Sequence, residues 1–329
     1  MLRAHQAVRL GLRAASRNPE ISFGKALLDA LGSALSALPF LLAAALVVAL
    51  AGHLTPLLAL AAAAAALAKV RWALLGGALA AGAISWTLGM AFWAGALPVL
   101  AADAELQRRP PPGHFWPLAL RSLPRVAATG ALAYGLLFAF ALSLGVLALA
   151  GAATIVARPS AGAFALLALG GTVGIVSGIL LDALVRLMLV RAAAFGDGAT
   201  AAFARSSDFL GRRLGACVAV QLAFLLLELI VASVAGLFTS VLWSGFNPEV
   251  VLLSLPARVA AGLAFGAVFA WLEVARQGAL AALVADGEGL LELPEPPPPA
   301  PSVLERPEVI EALPVIEALP APPGGDEKE

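Results

Sequence analysis

Two pairs of opposite charges lie inside long apolar runs and are the first candidates for chemistry in this chain. Asp182 and Arg186 are four positions apart in one run, and Glu273 and Arg276 are three apart in another. On a helix each pair shares one face and can neutralise itself. An isolated charge in the middle of a bilayer costs about 2.5–3.5 kcal/mol on insertion scales. Two interpretations follow: a structural ion pair, or part of a polar path or binding site for a headgroup or ion.

A further charge, Glu228, lies in the run QLAFLLLELIVASV and has no basic neighbour there. Gln221 stands two helical turns before it and can share its face. A carboxylate so placed must find a partner on another helix, take up a proton or face water. Arg186 or Arg276 could supply the opposite charge. The alternative is a neutral, hydrogen-bonded carboxylic acid in a packing interface.

Composition places these charges in a membrane protein. Of the 329 residues, 61% are hydrophobic and 13% are charged, against about 25% charged in soluble domains. The apolar runs that exceed the roughly 18 residues of a spanning helix predict an all-α integral membrane protein. We expect six transmembrane helices, at about 26–52, 73–101, 126–156, 161–190, 213–240 and 256–284. The first run starts too late and is too long for a cleaved signal peptide.

The six spans form three hairpins with a common period. Each returning span ends in small or apolar residues followed by an aspartate, at Asp103, Asp197 and Asp286, with spacings of 94 and 89. The amphipathic segments that lead into the hairpins share an aromatic residue with spacings of 92 and 88, at Phe23, Phe115 and Phe203. Two landmarks with one period indicate an internal triplication. The repeats cover about 19–107, 108–198 and 199–288, after an N-terminal amphipathic segment at 1–18.

The basic residues predict the orientation in the membrane. With six spans, 17 of the 21 lysines and arginines fall on one side. This bias predicts a bacterial inner-membrane protein with both termini in the cytoplasm. The short apolar segment 54–69 would reverse every later loop if it were a seventh span, so we expect an interfacial or re-entrant helix there.

Small residues and basic residues suggest how the spans meet each other and the lipid. Lipid gives helices no hydrophobic drive to associate, so small residues that permit close approach mark packing faces. Such residues recur every four positions in two returning spans, at Gly170, Gly174, Gly178, Gly262 and Gly266. A bundle of the three returning helices about a pseudo-threefold axis is the expected arrangement. Three arginines near the segment before the fifth span suit anionic lipid headgroups, namely Arg205, Arg212 and Arg213.

The last 41 residues, 289–329, differ from everything before them. They hold 11 of the 23 prolines, nine acidic residues and two basic ones, which is typical of a disordered, proline-rich segment. VIEALP occurs twice in tandem, at 309–314 and 315–320. The repeated unit could dock a cytoplasmic protein through residues 294–323. The alternative is an inert solubilising tail.

No catalytic motif stands out in the sequence. His5, His53 and His114 are scattered along the chain, and Cys217 lies in an apolar run without a neighbouring histidine. The sequence has no phosphate-binding Gly-rich loop, no HExxH and no GxSxG. We therefore expect no enzyme activity, no cofactor, no metal and no nucleic-acid partner. The oligomeric state is left open.

The three hairpins and the polar ends at Asp103, Asp197 and Asp286 carry one resemblance. Residues 19–288 resemble uncharacterised bacterial six-span membrane proteins related to the membrane domain of glycerophosphodiester phosphodiesterases. In those enzymes the catalytic domain is a separate soluble barrel, so the resemblance implies a membrane architecture and no catalytic residue.

Two functions are compatible with this sequence. The first hypothesis is a non-enzymatic polytopic inner-membrane protein, a scaffold or accessory subunit whose tail recruits a partner. The second is a transporter or lipid-handling protein that uses the intramembrane acids. Charge-neutral replacement of the acids and deletion of the tail distinguish them.

Overall fold

The computed structural model describes residues 2–51, 56–106, 115–157, 160–243 and 248–291. Every secondary-structure element in these ranges is a helix. In these ranges six helices are long and apolar enough to cross a membrane, which confirms the predicted all-α membrane fold. The proline-rich tail lies outside the described residues from 292 onward. The helices are α1 (Ala4–Arg17), α2 (Pro19–Ala51), α3 (Pro56–Leu106), α4 (Phe115–Ala157), α5 (Ala161–Ala194), α6 (Ala199–Arg212), α7 (Leu214–Trp243) and α8 (Pro248–Gly287).

The two short helices, α1 and α6, are amphipathic and have 14 residues each. α1 ends at Asn18, whose Nδ2 donates to the Ala14 carbonyl at 2.9 Å. Pro19 then starts α2, because a first helical position needs no N–H donor. Gly196, with a φ of +73°, makes the turn before α6 in a conformation that favours glycine. Asn18 and Pro19 therefore set the end of α1, and Gly196 sets the turn before the start of α6.

The aromatic residues that suggested a common repeat lie in unlike elements. Phe23 lies inside the spanning helix α2, Phe115 is the first residue of α4, and Phe203 lies inside the short helix α6. In the described part of the second hairpin, from Phe115 onward, α4 continues unbroken from its first residue into the apolar run, and no separate short helix precedes it there. The repeat therefore stays a prediction; α1 and α6 have the same length, and each directly precedes a spanning helix.

Burial divides the bundle into two halves. We call one the packed half: it contains α1, α6 and the stretches where buried residues concentrate, namely 90–104, 183–193, 217–224 and 270–285. We call the other the open half: its residues are mostly exposed, namely 31–45, 68–89, 136–156, 160–173, 225–240 and 256–269. The helices thus pack closely at one end and leave their surfaces free at the other.

The three returning helices, α3, α5 and α8, contact one another, as expected for a bundle built around them. Their contact lies in the packed half and belongs to one hydrophobic core. Fully buried leucines fill it, namely Leu97, Leu100, Leu187, Leu280 and Leu283. Side-chain packing of leucine and alanine, rather than a glycine stripe, forms this centre.

The glycine stripes lie outside this centre. Apart from the glycine's chain neighbours and its own helix backbone, no described atom comes within 4 Å of a Cβ built at Gly170, Gly262 or Gly266. Gly174 and Gly178 face side chains of α4, with a built Cβ 3.0 Å from Leu144 and 3.6 Å from Phe140, respectively. Among the described residues, the predicted packing faces at Gly262, Gly266 and Gly170 therefore meet no other helix, because the open half keeps the spans apart there.

The segment 54–69 is not a separate helix. From Pro56 onward it forms the first part of α3, which continues for 51 residues to Leu106. A helix that runs unbroken into a span cannot turn back as a re-entrant segment. At about 1.5 Å per residue α3 is roughly 76 Å long, more than twice the hydrocarbon thickness of about 30 Å. Residues 54 and 55 lie outside the described ranges.

The N-terminal helix α1 is part of the membrane bundle. Residues up to Leu291 form one compact unit, and α1 packs against α8 within it. α1 crosses α8 at Gly11, where a built Cβ would lie 2.7 Å from the Ala279 nitrogen and against the carbonyl oxygen of Ala275. Only glycine permits this approach. The backbone nitrogen of Leu2 donates to Asp286 Oδ2 at 2.8 Å and fixes the start of the chain.

Candidate functional site

Asp182 and Arg186 form the ion pair that their spacing predicts. Arg186 Nε donates to Asp182 Oδ2 at 2.8 Å. Gln221 of α7 donates to the same oxygen at 3.1 Å. Arg276 of α8 brings its Nη1 to 3.7 Å from it. One carboxylate therefore joins three spans, α5, α7 and α8.

Glu228 has its partner on another helix. Its Oε1 accepts a hydrogen bond from Arg276 Nη2 of α8, one of the two arginines that the sequence suggested. The Glu228 side chain keeps 26% of its surface exposed. Because the same guanidinium also lies near Asp182, Arg276 links the acids of α5 and α7.

Glu273 connects this group to α2. Its Oε2 lies 2.6 Å from Lys25 Nζ, and its Oε1 lies 3.7 Å from Arg186 Nη1. Lys25 also lies 2.6 Å from both carboxylate oxygens of Asp29. Glu273 and Arg276, which their spacing suggests as a pair, each bind residues of other helices.

Lys25 and Asp29 are the members that sequence reasoning missed. The position of Lys25 ahead of the first span suggests a flanking basic residue, and no role was expected of Asp29. Their spacing of four at the start of an apolar run is nevertheless the same signal as that of Asp182 and Arg186. The sequence signal was therefore present in the first hairpin.

We call these residues the intramembrane charge network. All six predicted polar residues belong to it, and in the described part of the chain it holds three basic and four acidic side chains from α2, α5, α7 and α8. The network lies where the packed half meets the open half. Its members are Lys25, Asp29, Asp182, Arg186, Gln221, Glu228, Glu273 and Arg276.

A cavity of about 560 Å³ adjoins the network between α2, α3, α4 and α8. We call it the charged cavity. Lys25, Asp29 and Glu273 line its charged side, and Ser33, Ser36 and Ser85 add hydroxyl groups. The aromatic side chains that line it are Trp86, Trp93 and Tyr134. The Asp29 side chain is 47% exposed, so the cavity is open beside it.

A larger apolar groove lies between α4 and α5 in the open half. Its volume is about 1270 Å³. The glycines of α5 form one wall, with Phe140 and Leu144 of α4 opposite Gly174 and Gly178. The glycines of α5 therefore mainly line a groove rather than form a close contact between α4 and α5.

The aspartates at the ends of the returning spans are held by arginines. Asp103 Oδ1 lies 2.9 Å from Arg17 Nη1, and Asp286 is bound by Arg213. At the second end Arg125 donates to the carbonyl of Gly196 at 3.5 Å, one residue before Asp197. The Asp197 carboxylate itself is bound by Arg205 of α6, in the following hairpin. The first and third span ends thus share an ion pair with an arginine that precedes the outgoing span of their hairpin.

The arginines expected at lipid headgroups have protein partners. Arg205 Nη1 lies 2.7 Å from Asp197 Oδ1, and Arg212 Nη2 lies 2.7 Å from Asp208 Oδ2. Both side chains are still largely exposed. Arg213 is only 15% exposed, so its charge is directed into the protein rather than to a headgroup.

The remaining titratable candidates lie apart from the network. Cys217 is buried in α7, and His5 lies in α1. His53 and His114 fall outside the described residues. Within the described ranges no group of three or more His, Cys, Asp or Glu is placed to hold a metal ion.

The geometry therefore brings the acids, arginines and Gln221 of three predicted spans into one network, adds a lysine and an aspartate from a fourth, and places a cavity beside them. Comparison with protein-family models, curated proteins and solved structures gave no match for this chain.

Proposed function

We propose that this polytopic membrane protein binds the polar group of a lipid or similar amphiphile within the membrane and moves it. The observation that carries the proposal is the charged cavity beside the intramembrane charge network. Ionisable groups inside a membrane are costly and commonly mark substrate or ion pathways. In this network the described acidic side chains outnumber the basic ones by four to three, and Asp29 opens onto the cavity.

The proposal includes an orientation in the bacterial inner membrane. Lys69, Arg71 and Arg258 lie at the open half, whereas the arginines around the span ends lie at the packed half. By the positive-inside rule the packed half faces the cytoplasm and the open half faces outward. The charged cavity then stands between the two sides.

Three copies of one hairpin unit underlie this architecture in our proposal. The ion pairs Arg17–Asp103 and Arg213–Asp286, at equivalent ends of the first and third hairpins, support it. The matching lengths of α1 and α6 support it as well. The relation to the membrane domain of glycerophosphodiester phosphodiesterases remains a proposal based on this architecture alone.

Lipid movement in proteoliposomes tests the proposed function. The purified chain is reconstituted with a fluorescent phospholipid in both leaflets, and a membrane-impermeant quencher reports the fraction that becomes accessible. We expect movement above protein-free vesicles, reduced at least tenfold by Glu228→Gln or Asp182→Asn. Asp208→Asn, an acid on the exposed pair of α6, is the matched control and should leave the rate unchanged.

Two results would reject lipid handling. One is the absence of protein-dependent movement for every phospholipid headgroup offered. The other is unchanged movement in both network variants, provided that size-exclusion chromatography shows each to be monodisperse. The second result would leave the acids with a structural role.

A scaffold or accessory subunit is the second candidate, favoured by the tandem VIEALP units of the tail. In this proposal residues 294–323 recruit a cytoplasmic protein. Affinity purification of the full chain beside one ending at Leu293, followed by mass spectrometry, tests it. A protein partner lost with the tail would support the scaffold, and identical co-purifying proteins would reject it.

A further inference from the structure

The ammonium group of Lys25 occupies an unusual position in the charged cavity. It lies 2.6 Å from Asp29 and 2.6 Å from Glu273, and the lysine side chain is only 8% exposed. Its Nζ is 5.9 Å from the centre of the Trp93 ring, within the range of a cation–π contact. Two carboxylates and an aromatic face thus surround one ammonium group.

The charge balance of the network favours a further cation. Its described members comprise three basic and four acidic side chains, so when all are ionised the network carries one excess negative charge. A monovalent cation entering the cavity would neutralise that excess, whereas an anion would double it. Uncompensated charge is costly in a medium of low dielectric.

The shape and lining of the cavity favour an organic cation over a metal ion. About 560 Å³ is far more space than a single ion needs. Trp86, Trp93 and Tyr134 line it, and aromatic faces are the usual recognition elements for quaternary ammonium groups. In the part of the chain that is described, no cluster of three metal-ligating side chains occurs.

We propose that the charged cavity binds an organic ammonium group, and that the ammonium of Lys25 holds its place until the ligand arrives. The ligand takes the carboxylates of Asp29 and Glu273, and Lys25 is displaced from them. The ammonium group could belong to a lipid headgroup or to a free amine, since both present the same chemistry. This inference rests on the proposed function and names the class of its ligand.

Lys25 acts in this proposal as a tethered competitor, and that role has a distinctive consequence. Removing a competitor strengthens binding, whereas removing a supporting residue weakens it. Lys25→Met should therefore tighten binding of the ligand at least fivefold. Asp29→Asn should weaken it at least tenfold, and Lys25→Arg should keep the competition. Asp29→Asn leaves the contact between Lys25 and Glu273, so the helices stay joined.

The experiment uses the full-length chain in nanodiscs of phosphatidylglycerol, a lipid without an ammonium group. Tetramethylammonium chloride is titrated by isothermal calorimetry against the wild type, the Lys25 and Asp29 variants, and Asp208→Asn as control. In a second arm, nanodiscs are assembled from equal phosphatidylcholine, phosphatidylethanolamine and phosphatidylglycerol, and native mass spectrometry identifies the lipids retained by the protein. Binding in the first arm indicates a free amine as a source. Enrichment of an ammonium-bearing lipid in the second indicates a headgroup.

Several outcomes overturn the proposal. One is that tetramethylammonium does not bind and that the protein retains phosphatidylglycerol to the same extent as the ammonium-bearing lipids. Another is that Lys25→Met weakens binding. If Lys25→Met does not fold, Trp86→Leu is tested instead. Because Trp86 lines the cavity, binding that is unchanged in Trp86→Leu would contradict the proposed aromatic site. Lipid movement that proceeds equally for all headgroups would reject the ammonium site and leave the proposed function standing, whereas no movement at all would reject the function itself.

Discussion

The packed half and the open half are built from the same helices, yet only one of them closes. The open half has small-residue stripes that include Gly170, Gly262 and Gly266, and a Cβ built at any of these would have no described atom within 4 Å outside its own helix backbone and chain neighbours. The packed half closes over leucines and alanines and contains ion pairs between helices. Small residues therefore permit close approach without causing it, as expected where lipid gives no hydrophobic drive.

The polar contacts between helices lie where closure occurs. The intramembrane charge network stands at the boundary of the two halves, and the span ends at Asp103, Asp197 and Asp286 form a second polar layer at the far end of the packed half. Hydrophobic packing lies between the two layers. The comparison thus predicts that changes in the packed half disturb the whole bundle, and that equivalent changes in the open half do not.

The largest effect is expected from Gly11→Leu, where α1 crosses α8. Its Cβ would overlap the backbone of Ala275 and Ala279, which cannot move aside as a side chain can. Overpacking of a closed core costs about 1–3 kcal/mol and occasionally more, and we expect about 3 kcal/mol here. Thermal unfolding in detergent measures the loss. Gly266→Leu in the open half is the control, and an equal loss there would contradict the division into halves.

The next largest effect is expected from Glu228→Leu, which leaves the guanidinium of Arg276 without its main partner. Removing one member of a buried ion pair costs about 3–5 kcal/mol. The partial exposure of Glu228 reduces our expectation to about 2 kcal/mol. The double variant Glu228→Leu with Arg276→Leu removes both charges and should recover part of the loss. The loss of unfolding free energy in the double variant should be smaller than the sum of the losses in the two single variants. A loss equal to that sum or larger would show that the pair does not stabilise the boundary.

The sequence predicted the six spans and most of the network, for identifiable reasons. Apolar length fixes a span because the bilayer core has a set thickness. A lone carboxylate such as Glu228 must find a partner on another helix, take up a proton or face water, and the first of these options suggested Arg186 or Arg276. The pairing of Lys25 with Asp29 follows from the same spacing rule as that of Asp182 with Arg186, but position near the end of an apolar run suggests a flanking charge instead.

The rest could not be predicted from the sequence because it depends on contacts between distant segments. The crossing of α1 over α8 at Gly11 requires knowledge of which helix faces it. The glycine stripes indicate helix surfaces that could pack closely. Whether another helix contacts them depends on how far apart the helices lie in the open half. The fusion of 56–69 into α3 reflects the absence of a strong helix stop between two apolar stretches.

A smaller effect is expected from Ser122→Ala in the packed half. Ser122 Oγ donates across to the Ala94 carbonyl of α3 at 2.8 Å and also contacts its own helix at Leu118. Hydrogen bonds between membrane helices contribute about 0.6 kcal/mol on average, and we expect a loss near that value. Ser143→Ala is the matched control, because among the described residues the Ser143 hydroxyl donates to the Ala139 carbonyl of its own helix. Equal losses would show that the interhelical bond adds nothing.

The smallest loss of stability is expected from Asp208→Asn, which allows an exposed ion pair to be compared with one in the network. Asp208 with Arg212 and Asp182 with Arg186 have the same spacing of four and nearly equal distances, 2.7 and 2.8 Å. The first pair is well exposed on α6 and should contribute less than about 0.5 kcal/mol, as surface pairs do. Asp182 also holds Gln221 and lies near Arg276, so Asp182→Asn should cost more, by about 1 kcal/mol. Thermal unfolding at low and high salt measures both. High salt should remove the small effect of Asp208→Asn and leave that of Asp182→Asn, because an exposed pair is screened far more than a buried one. An equal salt dependence of the two variants would show that the network is in contact with bulk water.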